Sequence, residues 1–269
     1  FGYPKDERGI PQVYMGKNTG LRYNPVTVAQ YGLFKLQVYD RSRAPEDLDT
    51  VKTIVTWLLE KCTEWRSGIT AWIYDYDLDF YGHRAPWISA MAQAQGISLL
   101  LRVYSLLPND SILYITQSAF EAFLHPVREG GVTASFPDGA LVFEEYPTDP
   151  PSLVLNGHIF ALLGIFDYAT FWQDKAAFDL FGVAITGLKK NLERYDTGYW
   201  NLYDLHPTRR LASPMYIEVH FRLLTLLSEI TGDDFFRKAA LRWRRYLRSP
   251  ACRLRWLLNK VNEKVGMKR

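Results

Sequence analysis

The sequence predicts a mainly α protein: an incomplete α/α toroid (barrel) of about four helical hairpins, with short β-hairpin insertions at one mouth. Three observations predict it. Apolar residues recur with helical period over most of the 269 residues. The helices fall into pairs, separated by segments of alternating or turn-rich character. The first helix of each pair opens with a polar residue, in "VAQYGLFKL", "AMAQAQGISLLL", "LVLNGHIFALL" and "IEVHFRLLTLL". These residues, Gln30, Gln93, Asn156 and His220, are spaced by 63, 63 and 64 (93 − 30, 156 − 93, 220 − 156). Helical hairpins at a constant interval stack as a solenoid or circularise. In a toroid the first helix of each pair lines the inside, so the four polar residues are expected to ring one mouth.

The elements follow in order within one domain, 1–269. Residues 1–22 are an N-terminal extension. Helices are predicted over 26–40, 45–64, 86–107, 110–127, 152–169, 174–194, 214–231 and 233–248, then a basic helix or tail over 249–269. "APEDLDTV", "LPNDSI" and "ITGDDFF" supply Pro and acidic residues to helix starts, where they complement the unpaired N–H groups and the dipole. "GITAWIYDYDLDFYG", "GGVTASFPDGALVFEEYP" and "YDTGYWNLYDL" read as short strands, the middle one a hairpin about its Pro-Asp-Gly turn.

Composition narrows the classes. Hydrophobic content of 48% provides a full core, and 17 tyrosines with 8 tryptophans provide rings for packing or for stacking on sugars. The net charge is +3, and cations crowd "FFRKAALRWRRYLRSPACRLRWLLNKVNEKVGMKR". The plain reading is a solvated helix face with Trp and Leu packed inward; a polyanion-binding surface is the alternative. Cys62 and Cys252 make neither a disulfide framework nor a metal spacing. No apolar run reaches membrane-spanning length, and the chain opens on Phe1, as a partial or processed product would.

There is no phosphate-cradling glycine loop, no dinucleotide fingerprint, no nucleophile elbow, and no zinc spacing among the five histidines. Nucleotide-driven and serine-nucleophile chemistry are therefore not expected, and neither a metal nor a nucleic-acid partner is foreseen. The loops instead carry tyrosine and carboxylate. Tyr146 follows Glu144 and Glu145, and Tyr203 stands in "NLYDLHPTRR" with Asp204, His206, Arg209 and Arg210 behind it. Tyr216 lies one helical turn before His220. Paired carboxylates suit glycosidic hydrolysis. Tyrosines, acid as phenol and base as phenolate, suit proton transfer at a carbon beside a carboxylate, which Arg209, Arg210 or His206 would hold.

Together, "YNPVTVAQYGL", "PWISAMAQAQGISLLLRVY", "FEEYPTDPPSLVLNG", "YDTGYWNLYDL" and residues 214–220 resemble the heparosan/heparan sulfate D-glucuronyl C5-epimerase family, in its C-terminal helical catalytic domain. The resemblance implies cofactor-independent conversion of D-glucuronic to L-iduronic acid units in an anionic polysaccharide, by C5 proton abstraction and reprotonation. It places catalysis on Tyr146, Tyr203, Tyr216 and Glu145. Substrate contacts are expected from Asn156, His206, Arg209, Arg210, His220, Gln30, Gln93 and Trp87. It also implies a homodimer, while the β-rich N-terminal portion of the animal enzymes would lie upstream and is expected to be absent or much reduced here. This chain has His206 where animal members have Arg after "YDL", and "MYIEVH" where they have "DYHTTH". The rival readings are an α/α-toroid glycoside hydrolase or polysaccharide lyase on a uronic-acid glycan, and a non-catalytic polyanion-binding module.

Overall fold

A computed structural model describes residues 2–66 and 68–266; the last three positions of the expected basic tail, 267–269, lie outside the described residues. Four helical hairpins follow one another: α1 (Pro25–Ser42) with α2 (Pro45–Lys61), α3 (Ala90–Tyr104) with α4 (Asp110–Phe120), α5 (Leu155–Trp172) with α6 (Lys175–Asn191), and α7 (Pro214–Thr231) with α8 (Asp234–Arg248). A ninth helix, α9 (Pro250–Gly266), packs on α8. The first helices of the pairs stand side by side in the order α1, α3, α5, α7, and each carries its partner on the outside. Side-chain caps start most of them: Asn24, Ser89, Asn109, Asp174, Ser213 and Asp233 each accept a backbone N–H of the first turn.

The two middle inner helices touch closely because a glycine removes a side chain at the crossing. A Cβ on Gly164 of α5 would lie 2.5 Å from the Ala94 Cβ of α3. Flanked on both sides, α3 is buried at nearly every position, which its apolar, small-residue sequence tolerates.

Among the described residues three two-stranded antiparallel hairpins are inserted: β1 (Val13–Tyr14) with β2 (Leu21–Arg22), β3 (Cys62–Arg66) with β4 (Ile69–Trp72), and β5 (Thr133–Ser135) with β6 (Leu141–Phe143). Several expected boundaries move. The helix expected to reach 64 ends at Lys61, because the residues after it pair with β4. The helix expected from 86 begins at Ala90, because Trp87 exchanges backbone hydrogen bonds with Tyr74. The expected strand over 195–205 is a loop held by single bridges, Asp196 to Asn201, Val154 to Asp204 and Leu202 to Leu211. The expected extension 1–22 contains β1 and β2 and reaches the central cavity through Tyr3, Val13 and Met15.

Candidate active site

All four inner helices contribute to one cavity of about 380 Å³. Gln30 comes from α1, Met91 from α3, Asn156 and Phe160 from α5, and Tyr216 and Val219 from α7. The loop between β4 and α3 adds Tyr74, Tyr76 and Trp87, and the segment after β6 adds Glu145 and Tyr146. The Trp87 ring is held from both faces. Tyr74 stacks on one at 3.9 Å and 12°, and His83 on the other at 4.8 Å and 17°. Its Nε1 donates to the Tyr76 carbonyl at 2.9 Å, which fixes the ring in the wall of the cavity.

The two glutamates have separate work. Glu144 is fully buried and accepts from Ser152 N (2.7 Å), Ser152 Oγ (2.6 Å) and Leu153 N (2.9 Å). It thereby holds the turn into α5, whose start has no side-chain cap of its own and follows Leu153 at φ 50°. Glu145 faces the cavity and accepts from Asn156 Nδ2 at 3.2 Å. It lies so close to α5 that a Cβ on Gly157 would come within 2.4 Å of both its Cβ and its Oε2. Burial pushes both carboxyls up, each to about 7, against the lowering effect of their hydrogen bonds. Near neutral pH Glu145 can therefore hold or release a proton.

Tyrosines surround it. Tyr203 and Tyr216 meet edge to face at 4.7 Å, and Tyr146 lies 5.0 Å from Tyr81. Burial, and then the nearby Glu145 carboxylate, raises the hydroxyls of Tyr146, Tyr203 and Tyr216 above the ordinary phenol range. They are phenols at neutral pH, ready to donate. Of these three, Tyr146 and Tyr216 line the cavity, and Tyr203 stands behind them, touching Tyr216. A carboxylate titrating near 7 beside donating phenols can take a proton at one point and give one at another.

The expected cations sit to one side of the cavity, not in its lining. Arg210 lies over the rings of Phe80 (3.4 Å) and Tyr81 (4.3 Å) and pairs with buried Asp204 at 3.5 Å. Its Nη1 is buried with no hydrogen-bond partner among the described residues. His206 packs against Tyr81 at 5.4 Å and bonds Thr208. Arg209 is exposed and reaches the Arg194 carbonyl.

The expected ring of four polar residues is corrected. Gln30 and Asn156 face the cavity, whereas Gln93 and His220 do not. Gln93 is fully buried, donates to the carbonyls of Thr70 and Ala119, and accepts from Trp72 N, so it ties α3 to β4 and α4. His220 is fully buried against Asn201, and burial lowers it to about 3. His158, the histidine of "LNGH", accepts from Phe143 N at 3.1 Å and is likewise held neutral.

Sequence reasoning missed Tyr81 and left Asp204, noted beside Tyr203, without a role. The Tyr81 hydroxyl donates to Asp204 Oδ2 at 2.8 Å, joining the loop before α3 to the Tyr203 loop. The signal was the aromatic density of "YDYDLDFYGHRAPW", read only as a strand. Among the described residues no three His, Cys, Asp or Glu side chains come together as metal ligands.

Comparison with known proteins gives this geometry a family. The solved structure of cellobiose 2-epimerase from Bacillus thermoamylovorans superposes over 90% of this chain and 66% of its own, with TM-score 0.61 and 13% identity, a likeness of fold alone. An uncharacterized protein of Methanocaldococcus jannaschii is 25% identical over 245 residues, covering 85% of this chain and 79% of its own length. The D-glucuronyl C5-epimerase of Caenorhabditis elegans is 33% identical over 174 residues, 58% of this chain, which spans 28% of that protein. The family described as D-glucuronyl C5-epimerase C-terminus matches residues 66–245, from β3 to near the end of α8. The chain belongs to the D-glucuronyl C5-epimerase family, in its C-terminal part.

Proposed function

We propose that this chain epimerises C5 of D-glucuronic acid units in a heparosan-like polysaccharide, with its four hairpins as an incomplete α/α barrel around the site. The observation that carries the reading is the Glu145 carboxylate, poised near 7 and enclosed by Asn156, Tyr146 and the Tyr203–Tyr216 pair. Glu145 takes H5 from one face of the sugar, and the electron pair left on C5 delocalises into the C6 carboxylate. A tyrosine hydroxyl donates a proton to C5 from the opposite face, inverting the centre. The proton held by Glu145 returns to the phenolate through the tyrosine cluster or solvent, which closes the proton balance. Of the three expected tyrosines, Tyr216 and Tyr146 line the cavity, which supports them as the hydroxyls that act directly, with Tyr203 supporting Tyr216. Asn156 and Gln30 contact the sugar, Trp87, stacked between Tyr74 and His83, meets it by its edge only, and Arg210 with His206 draws the carboxylate toward the side of the site.

The test is incubation with heparosan in heavy water. Deuterium at C5 together with iduronate is the expected result. A lack of exchange with heparosan and other uronans refutes the proposal. Chain cleavage to an unsaturated uronate, seen by its ultraviolet absorbance, would assign a lyase, since elimination begins with the same proton abstraction.

A further inference from the structure

The C-terminal basic segment has no part in that site. Sequence reasoning expected its leucines to pack inward; the structure turns them out. Helix α9 sits on the protein by one face: Trp256 donates to the Ala212 carbonyl at 3.1 Å and stacks on Trp200 at 5.5 Å, with Cys252 part-buried one turn before. At about 3.6 residues per turn, Leu254, Leu257, Leu258 and Val261 fall on a single stripe on the opposite side. They are 58%, 52%, 57% and 58% exposed. Arg253 and Lys260 border this stripe on one edge and Arg255 on the other. The preceding helix adds charge of the same sign, a shallow groove lined by Lys238, Leu241, Arg244, Arg245 and Arg248.

We propose that the outer face of α9 docks on an anionic lipid surface, lying in the plane of the interface. Charge decides between occupants. A second copy packed stripe to stripe would bring cationic edges against cationic edges. Four side chains also fall short of the ~800 Å² per partner that a stable interface buries. A soluble polyanion would satisfy the cations and leave the leucines in water. A bilayer with acidic headgroups accepts both, aliphatic side chains at the acyl boundary and cations at the headgroups. No helix among the described residues is long and apolar enough to cross a membrane, so the contact is peripheral. The inference is independent of the epimerase reading.

The test is co-sedimentation of the full chain with vesicles of phosphatidylcholine alone and of equal parts phosphatidylcholine and phosphatidylglycerol. The protein is expected to pellet with the mixed vesicles only, and less as salt rises. Leu254→Glu with Leu258→Glu is expected to abolish binding with the melting curve unchanged. Should that pair disturb the fold, Arg253→Gln with Arg255→Gln is the second variant, expected to weaken partitioning roughly fivefold per cation. Failure to pellet with either vesicle overturns the proposal. So does undiminished binding of a folded leucine variant, or a wild-type dimer in analytical ultracentrifugation that the leucine substitutions dissociate.

Discussion

Replacing Glu145 by Gln tests the electrostatics of the site without using substrate. Burial raises this carboxyl from 4.5 to about 7, a difference of roughly 3 kcal/mol at about 1.4 kcal/mol per pKa unit. The neutral form is the one the folded site tolerates. A raised pKa contributes stability that is complete below about 4.5 and is lost as pH rises through about 7. Glutamine is neutral throughout and its Oε1 can still accept from Asn156. The stability of Glu145→Gln relative to the wild type is therefore expected to increase by roughly 3 kcal/mol between pH ~4.5 and pH ~8. For a chain of this size that corresponds to about 6–12 °C in melting temperature. Urea or thermal unfolding of both proteins across that range measures it. C5 exchange by the variant is expected to fall by about 10²–10⁴, the usual worth of a general base. A stability difference that stays flat with pH, or shrinks as pH rises, would falsify the claim that Glu145 is buried near neutrality.

Other substitutions probe the supporting geometry. Gly157→Ala puts a methyl group 2.4 Å from Glu145, and is expected to cost about 1–3 kcal/mol in unfolding experiments and to depress exchange. Gly182→Ala, on α6 with nothing within 4 Å, should instead stabilise by up to about 1 kcal/mol, and thus controls for helix propensity. Tyr216→Phe is expected to lower iduronate formation about 10²–10⁴-fold at unchanged melting temperature, as followed by proton NMR of the polysaccharide, and Tyr203→Phe by less. Full activity in both variants would remove the tyrosines from the mechanism. Trp87→Ala takes away the ring between Tyr74 and His83; a loss of about 3–5 kcal/mol on denaturation and a raised KM are expected.

The helical hairpins were legible in the sequence because each inner helix carries its own apolar period and most starts carry a capping residue. The Glu145–Tyr146 pair was legible from its crowding. Three things were not. Glu144 and Glu145 look equivalent as neighbours, yet successive residues of an extended segment point to opposite sides. One carboxylate therefore secures the turn at Ser152 while the other meets the cavity. The contact from Tyr81 to Asp204 joins residues 123 positions apart, and no local pattern announces it. The turned-out leucines of α9 share a helix with the tryptophan that faces in, so composition alone could not assign their sides.

The polar ring failed for a reason that the helix starts make plain. Constant spacing along the chain fixes the hairpin to which a residue belongs, but the direction it faces depends on its distance from the helix start. Gln30 is the sixth residue of α1, Gln93 the fourth of α3, Asn156 the second of α5 and His220 the seventh of α7. Each slip of two residues turns a side chain by about 200°. From Gln30 to Gln93 one slip reverses the direction, into the layer between α3 and its neighbours β4 and α4. From Gln93 to Asn156 a second slip nearly restores it, back toward the cavity. His220, one residue further into its helix than Gln30, is rotated by about 100° and meets Asn201 instead. A repeat of 63 residues laid over the first three inner helices, whose starts are 65 apart (90 − 25, 155 − 90), thus passes from cavity to wall and back. That offset turns Gln30 and Asn156 into the cavity and leaves Gln93 to fasten the scaffold that holds them.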